Sequence, residues 1–218
     1  MIDYYAKRAA EYEKIYKKPE RQAALARMKE TLAAAFEGLD VLEVACGTGY
    51  WTQVIAHSAR RILATDAAPE TLAIARRKDY GACRVAFAEA DAYSLADVAG
   101  DFAGGFMGFW WSHVPRERLA GFLSTFHSKL REGAVVVAID NVYVEGSSTP
   151  VSRTDEGGNT FQLRRLEDGS AHEVLKNFPD EAELRRVLAS HASDLTIVRL
   201  PYYWLARYHV SRSGHSRS

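Results

Sequence analysis

Short apolar, β-branched runs alternate along this chain with segments whose apolar residues recur every three or four positions, the two periods that separate strand from helix. "DVLEVAC" (40–46), "RRILATD" (60–66), "CRVAFAEAD" (83–91), "FAGGFMGFW" (102–110) and "GAVVVAIDN" (133–141) read as strands. "YWTQVIAHSA", "PETLAIARRK" and "PRERLAGFLSTFHSKL" between them read as helices, with Pro69 favourably placed in a first turn. Ahead of the first strand, a Tyr-rich helical segment from Asp3 to Tyr16 breaks at Pro19, and a second helix runs from about Glu20 to Phe36. The alternation predicts βαβ units: an α/β, Rossmann-like, doubly wound and mostly parallel seven-stranded sheet with helices on both faces.

The pattern changes after Asn141. "VEGSSTPVSRTDEGGN" is a long polar loop, "LRRLEDGSAHEVLK" (163–176) an inserted β-hairpin, "DEAELRRVLASH" a helix, and "LTIVRLPYYWLARYHV" a closing strand pair. One domain over 1–210 is expected, divided into a helical lid (1–36), a ligand-binding half (37–141) and a half with the hairpin and closing strands (142–210), with a disordered tail at 211–218. In the hairpin, a two-residue Asp-Gly loop would pair Glu167 with Ser170 and put Arg164 and Lys176 on opposite faces. A three-residue Glu-Asp-Gly turn with Gly169 left-handed pairs Leu166 with Ser170, sets Arg164 against His172, and is preferred because it sorts apolar from polar better. That register gathers Gln162, Arg164, His172 and Lys176 on one side and Phe161, Leu163, Ala171 and Leu175 on the other. Two cations on one surface suit an oxyanion, since arginine forks onto two oxygens at once. The plainer reading is a solvated sheet edge, which the pairing of Arg165 near Glu173 fits.

Composition narrows the classes. The 218 residues carry 28 Lys+Arg against 28 Asp+Glu, so there is no basic surplus for a nucleic-acid backbone. No Asn/Asp-Pro-Pro-Tyr motif occurs, and no nucleic-acid partner is expected. Two cysteines, Cys46 and Cys83, are too few for a disulfide framework and lack metal-ligand spacing, so no metal is expected. No leader-like apolar region opens the chain and no run reaches membrane-spanning length, which makes a cytoplasmic protein without a membrane partner the expectation. A monomer and a homodimer are both compatible with the sequence.

Chemistry concentrates in "VLEVACGTGYW". Gly47 and Gly49 sit between a strand and a helix, where glycine lets backbone approach a ligand and the helix start favours an electronegative group. Asp66 ends the second strand, 19 residues beyond Gly47, the position from which a carboxylate meets ribose hydroxyls. Asp91 ends the third strand on the same edge. Thr52 stands where a dinucleotide fingerprint needs a third small residue, after bulky Tyr50 and Trp51, which disfavours a nicotinamide oxidoreductase.

Taken in order, "VLEVACGTGYW", "ATD", "EAD" and "FWWSHVP" resemble the class I S-adenosylmethionine-dependent methyltransferases over roughly residues 1–140. The resemblance implies S-adenosyl-L-methionine as cofactor and S-adenosyl-L-homocysteine as product. It implies that Glu43, Ala45, Gly47, Gly49 and Trp51 cradle the methionine part, Asp66 and Ala67 the ribose, and Asp91 and Ala92 the adenine. The N-terminal "YYAKRAAEY" resembles the helix that closes over the cofactor in many small-molecule members, which implies Tyr4, Tyr5, Arg8 and Tyr12 as candidates there. His113 in "WWSHVP" is the candidate base, and equally a candidate for touching the acceptor or for a backbone-bonded structural histidine. Gly104 and Gly105 depart from a pattern usually β-branched there.

A narrower resemblance, carried by "YYAKRAAEYEKIY", "GTGYWT", "HVPRERL" and "RRLEDGSAHEVLKNF…EAEL", is to phosphonate O-methyltransferases. It implies a small-molecule acceptor whose anionic head is held by Arg164 and Lys176. An aromatic expected near Pro19 is absent, and Tyr16 is the nearest substitute. The expectation is therefore O-methylation of a phosphonate or carboxylate. The alternatives are a phenol, amine or thiol acceptor with His113 as base, and a non-catalytic S-adenosylmethionine-binding protein.

Overall fold

The computed structural model describes residues 12–166 and 169–211. Ten strands are present among them: β1 (Asp40–Val44), β2 (Arg61–Asp66), β3 (Arg84–Glu89), β4 (Phe102–Gly108), β5 (Leu130–Asn141), β6 (Val151–Thr154), β7 (Thr160–Arg165), β8 (Ala171–Leu175), β9 (Ala192–Arg199) and β10 (Tyr203–Val210). Seven form one sheet in the order β3-β2-β1-β4-β5-β10-β9. β1 pairs in parallel with both β2 and β4, while β10 runs antiparallel to β5 and β9. The chain thus winds outward from β1 to β3, then returns to start the other half at β4. That reversal creates a switch point at the carboxyl ends of β1 and β4, where open α/β sheets bind ligands.

Five α-helices flank the sheet: α1 (Gln22–Phe36), α2 (Tyr50–Ala56), α3 (Pro69–Ala75), α4 (Leu119–Ser128) and α5 (Glu181–Leu188). Two apolar clusters, one on each sheet face, form the core. Leu25, Met28, Leu32 and Phe36 of α1 recur at helical spacing and are buried in one; Leu119, Phe122, Leu123 and Phe126 of α4 do the same in the other. Gly105 of β4 has a packing reason: a Cβ there would lie 2.7 Å from Leu130 Cδ1 and 2.8 Å from Phe126 Cζ. At Gly104 it would lie 3.0 Å from Phe36 Cδ1. Aromatic rings from α1 and α4 occupy the space that β-branched side chains would fill.

Two expectations are corrected. The predicted helix ending at Tyr16 is a 3-10 turn over Tyr12–Lys17 in its described part, followed by another at Pro19–Arg21, where Pro19 interrupts continuous winding. Its earlier residues, and the tail from 212 on, lie outside the described residues. The inserted hairpin is part of a three-stranded sheet, β6-β7-β8, because Val151–Thr154 within the polar loop pairs with β7. All four residues of β6 are exposed, so no alternation announced it.

Candidate active site

Backbone strain gathers at the switch point. Ala45 (φ 52°) follows β1 and Phe109 (φ 59°) follows its neighbour β4, both in the left-handed region that costs a residue with a side chain. Gly47 (φ 55°) and Gly49 (φ 78°) complete the turn. A Cβ on Gly49 would lie 2.5 Å from the Tyr80 hydroxyl and 3.0 Å from Ala75 Cβ, whereas one on Gly47 would meet nothing within 4 Å. The first glycine therefore leaves space on the ligand side, and the second lets α2 pack against α3.

Asp66 fastens this loop. Its Oδ2 accepts the Gly47 N–H at 2.8 Å, and its Oδ1 accepts the Ala68 N–H at 2.9 Å and the Thr71 hydroxyl at 3.2 Å. Burial raises the Asp66 pKa above its ordinary value, opposed by these bonds. Glu43 is the opposite case. It is buried in the middle of the sheet, and its Oε2 has no hydrogen-bond partner among the described residues. Desolvation pushes its pKa from 4.5 to about 8, the Thr52 hydroxyl lowering and the Asp66 charge raising it less strongly. A buried carboxyl oxygen without a partner beside the glycine turn has unused capacity to accept a hydrogen bond from a cationic donor. Asp91 is exposed and its Oδ1 accepts the Tyr93 N–H at 2.9 Å, while Ala92 is buried and Ala67 half-buried.

The N-terminal strap crosses this turn. Glu13 Oε1 accepts the Thr48 hydroxyl at 2.8 Å and pairs with Lys78. Tyr16 is buried, stacks on Tyr50 with centroids 4.1 Å apart, and accepts the Trp51 indole N–H at 3.0 Å. Tyr16 and Trp51 thus clamp strap to helix α2. Tyr12 opens the 3-10 turn of the strap.

A second region lies beyond the carboxyl end of β5: a cavity of about 640 Å³ between the strap, the 147–149 loop and the β7–β8 hairpin. The hairpin has the three-residue register: Arg164 opposes His172, the Leu166 N–H donates to Ser170 O at 2.9 Å, and Gly169 has φ 83°. Both of its faces reach the cavity, Leu163 and Arg165 from one, Gln162, Arg164 and Lys176 from the other. Gln162 and Lys176 are buried and Arg164 is half-buried on the cavity wall, whereas Leu163 on the other face is 50% exposed. Arg164 donates to Gln162 Oε1 through Nη2 at 2.8 Å. Lys176 Nζ contacts Asp140 Oδ1 at 2.9 Å and donates to Ser112 Oγ at 2.6 Å. Its charge is therefore balanced inside the wall, by an aspartate that ends the apolar run of β5. Arg165 is exposed at the rim of the cavity, and Glu173 pairs with Arg153.

His113 sits in a 3-10 turn, is buried, and its Nδ1 lies 2.7 Å from the Leu175 carbonyl oxygen. The ring ties the end of β4 to β8. Trp110 and Trp111 both pack in the core, Trp111 edge-on to Trp204. One cavity residue carried no sequence signal at all: Arg21, 6% exposed and following Pro19 in the strap. Among the described residues no cluster of His, Cys, Asp and Glu has the makings of a metal site, and no helix is long and apolar enough to cross a membrane.

The strained switch point and the glycine turn lie in the segment where residues 41–133 match the family model described as a methyltransferase domain. The chain is an S-adenosylmethionine-dependent methyltransferase. Its particular likeness is to DhpI. A DhpI–SAH complex is 29% identical, superposes with a TM-score of 0.76, and covers 96% of this chain and 95% of its own. A DhpI–SAM–HEP complex gives 28%, 0.75, and 94% of each chain. The PH0226 protein of Pyrococcus horikoshii OT3 shares the fold at 15% identity and TM-score 0.71, over 92% of this chain and 99% of its own. No curated protein sequence matches the chain.

Proposed function

We propose that this methyltransferase esterifies a small anionic acceptor, a phosphonate or a carboxylate, whose head is held in the cavity by Arg164 and Lys176. The observation that carries the reading is the placing of two hairpin cations in the cavity wall: Arg164 is half-buried and Lys176 buried there, while Leu163 is half-exposed. A hairpin serving only as a solvated edge would carry such cations exposed. The likeness to DhpI, whose complex holds SAM and HEP together, supports an acceptor site alongside the cofactor.

When bound, S-adenosylmethionine would supply an electrophilic methyl, which would pass in line to the acceptor oxygen as its bond to sulfur breaks, giving an ester and S-adenosylhomocysteine. Glu43, Ala45, Gly47, Gly49 and Trp51 are proposed to hold the methionine part, Asp66 and Ala67 the ribose, and Asp91 and Ala92 the adenine, with Tyr12 in the covering strap. An ionised acid needs no base, so the residues' task is to place its oxygen near the methyl and exclude water. Arg164 forks onto the head; Lys176, neutralised by Asp140, contributes an oriented donor and no net charge. His113 then acts by holding the hairpin against the sheet.

The test is a labelled-methyl screen of alkylphosphonates, carboxylates, phenols and amines, followed by Arg164→Ala on the best acceptor. Methylation of an acid, with KM raised tenfold or more in the variant and S-adenosylhomocysteine affinity unchanged, is expected. Turnover of phenols or amines alone, or an unchanged KM, overturns the proposal.

A further inference from the structure

The cavity has a cation that the hairpin does not supply. Arg21 is 6% exposed, yet no carboxylate pairs with it among the described residues. Other arginines that form ion pairs do so with named acids: Arg60 and Arg61 with Asp40, Arg116 with Glu183, Arg153 with Glu173. The Arg21 guanidinium instead has long contacts, 3.4 Å to the Tyr203 hydroxyl and 3.5 Å to Ser147 Oγ. It lies over the Tyr202 and Tyr203 rings, 5.1 and 5.7 Å from their centroids. Its Nε is buried without any partner. Buried charges are ordinarily paired, because desolvation costs several kcal/mol per ion and weak contacts do not return it. An unpaired guanidinium on a cavity wall is therefore built to be completed by an anion.

Resting on the reading of an anionic acceptor, we infer that Arg21 is the second fork of the acceptor site and selects a tetrahedral, doubly charged oxyanion over a carboxylate. A carboxylate has two oxygens in one plane, and one guanidinium saturates them in a bidentate pair. A phosphonate or phosphate head has three oxygens out of plane. One accepts the methyl, and the other two call for donors from more than one direction. Arg164 approaches from β7, Arg21 from the strap, and both line the same cavity. Lys176 brings no net charge, and of the other cations lining the cavity Lys18 and Arg165 are exposed, so the buried Arg21 guanidinium is the one that matches the second negative charge. Arg21 thereby replaces, with a charge, the aromatic that is absent near Pro19.

The experiment is calorimetry on the S-adenosylhomocysteine-loaded protein with ethylphosphonate and with propionate, for the native chain, Arg21→Gln and Arg21→Lys. Loss of a charge-assisted pair weakens binding about ten- to hundredfold. Arg21→Gln is expected to lose that factor on ethylphosphonate and less than about threefold on propionate, while Arg164→Ala loses on both. Arg21→Lys, which keeps the charge but not the fork, falls between. Equal losses on the two acids, or none, overturn the inference and leave the anionic-acceptor reading standing. Failure of the native protein to bind either acid sinks both. S-adenosylhomocysteine affinity reports folding, and if Arg21→Gln does not fold, native-like ethylphosphonate affinity in Arg21→Lys is the refuting result.

Discussion

Replacing Lys176 by Met keeps the aliphatic stem and removes the ammonium, leaving Asp140 with no cation in a place where it is 0% exposed. Breaking a buried pair from one side costs about 3–5 kcal/mol, because the surviving charge stays desolvated. Asp140 keeps two donors, the Ser112 N–H on Oδ2 at 2.9 Å and the Asn141 N–H on Oδ1 at 2.7 Å. Those bonds hold the cost to the lower end of the range, about 3 kcal/mol. For a domain of this size each kcal/mol moves Tm by roughly 2–4 °C, so Lys176→Met should melt about 6–12 °C below the native chain. The double variant Lys176→Met/Asp140→Asn removes both charges and should recover most of that loss, to within about 1 kcal/mol. Differential scanning calorimetry of the four-member cycle measures it. A single Lys176→Met variant that melts within about 2 °C of the native chain would show the ammonium to be solvated, refuting the buried-pair argument. An acceptor KM raised in that variant would then belong to a directly contacting lysine alone.

Glu43 makes cofactor binding and stability depend on pH in opposite senses. Its folded pKa, about 8, lies above the ordinary 4.5, so the folded chain binds the extra proton. The stability it contributes is complete below about pH 4.5 and declines by up to about 1.4 kcal/mol per pH unit until the carboxyl ionises near 8. Glu43→Gln should abolish that decline in denaturant melts; a parallel pH slope in the variant refutes it. A ligand ammonium favours the ionised carboxyl, so S-adenosylhomocysteine should bind more tightly as pH rises from 6 to 8, with proton release in calorimetry, and both effects should vanish in Glu43→Gln. The strap offers a smaller effect. Glu13→Gln loses the Lys78 pair while keeping an acceptor for Thr48, and because Glu13 is about one-third exposed the loss should be ~1 kcal/mol at most, up to fivefold in S-adenosylhomocysteine Kd. An unchanged Kd would mean that the strap does not cover the cofactor.

The sheet was legible because its strands carry their signals locally: apolar runs ending in glycine or aspartate, each followed by a helix-period segment. The hairpin register was equally legible, since Gly169 tolerates the left-handed turn that the three-residue loop requires. Burial was not legible there. Alternation shows that Leu163 and Arg164 face opposite ways; which is the more enclosed depends on the cavity that both line, and the apolar one is the more exposed. Asp66 illustrates a different limit. Its position at the end of β2 was plain, but its bonds to Gly47, Ala68 and Thr71 appear only once the turn is closed, so it holds the loop as well as facing the ligand edge. Lys176 needed Asp140, 36 residues earlier, to reveal that its charge is balanced. A carboxylate ending the buried run "VVVAID" was the available hint, since such a group requires a partner.

Arg21 was hidden for a related reason. In "KKPERQ" it is one cation among several at a helix start, where exposure is the rule for arginine. The chain's equal counts of 28 acids and 28 bases argue against a basic face, and the surface keeps to that balance through pairs such as Arg153–Glu173 and Arg185–Glu181. Net charge is a sum over the whole surface, whereas a small-molecule site depends on the few charges left uncompensated in a low-dielectric recess. Among the described residues, pairing on the outside and a buried guanidinium without an acidic partner within give a neutral protein a local positive pocket. The strap makes that pocket contiguous with the cofactor turn: Glu13 meets Thr48 at one end of a nine-residue segment and Arg21 lines the cavity at the other. On the proposed reading, the segment that would grip the acceptor anion through Arg21 is the one tied to the glycine turn through Glu13 and Thr48.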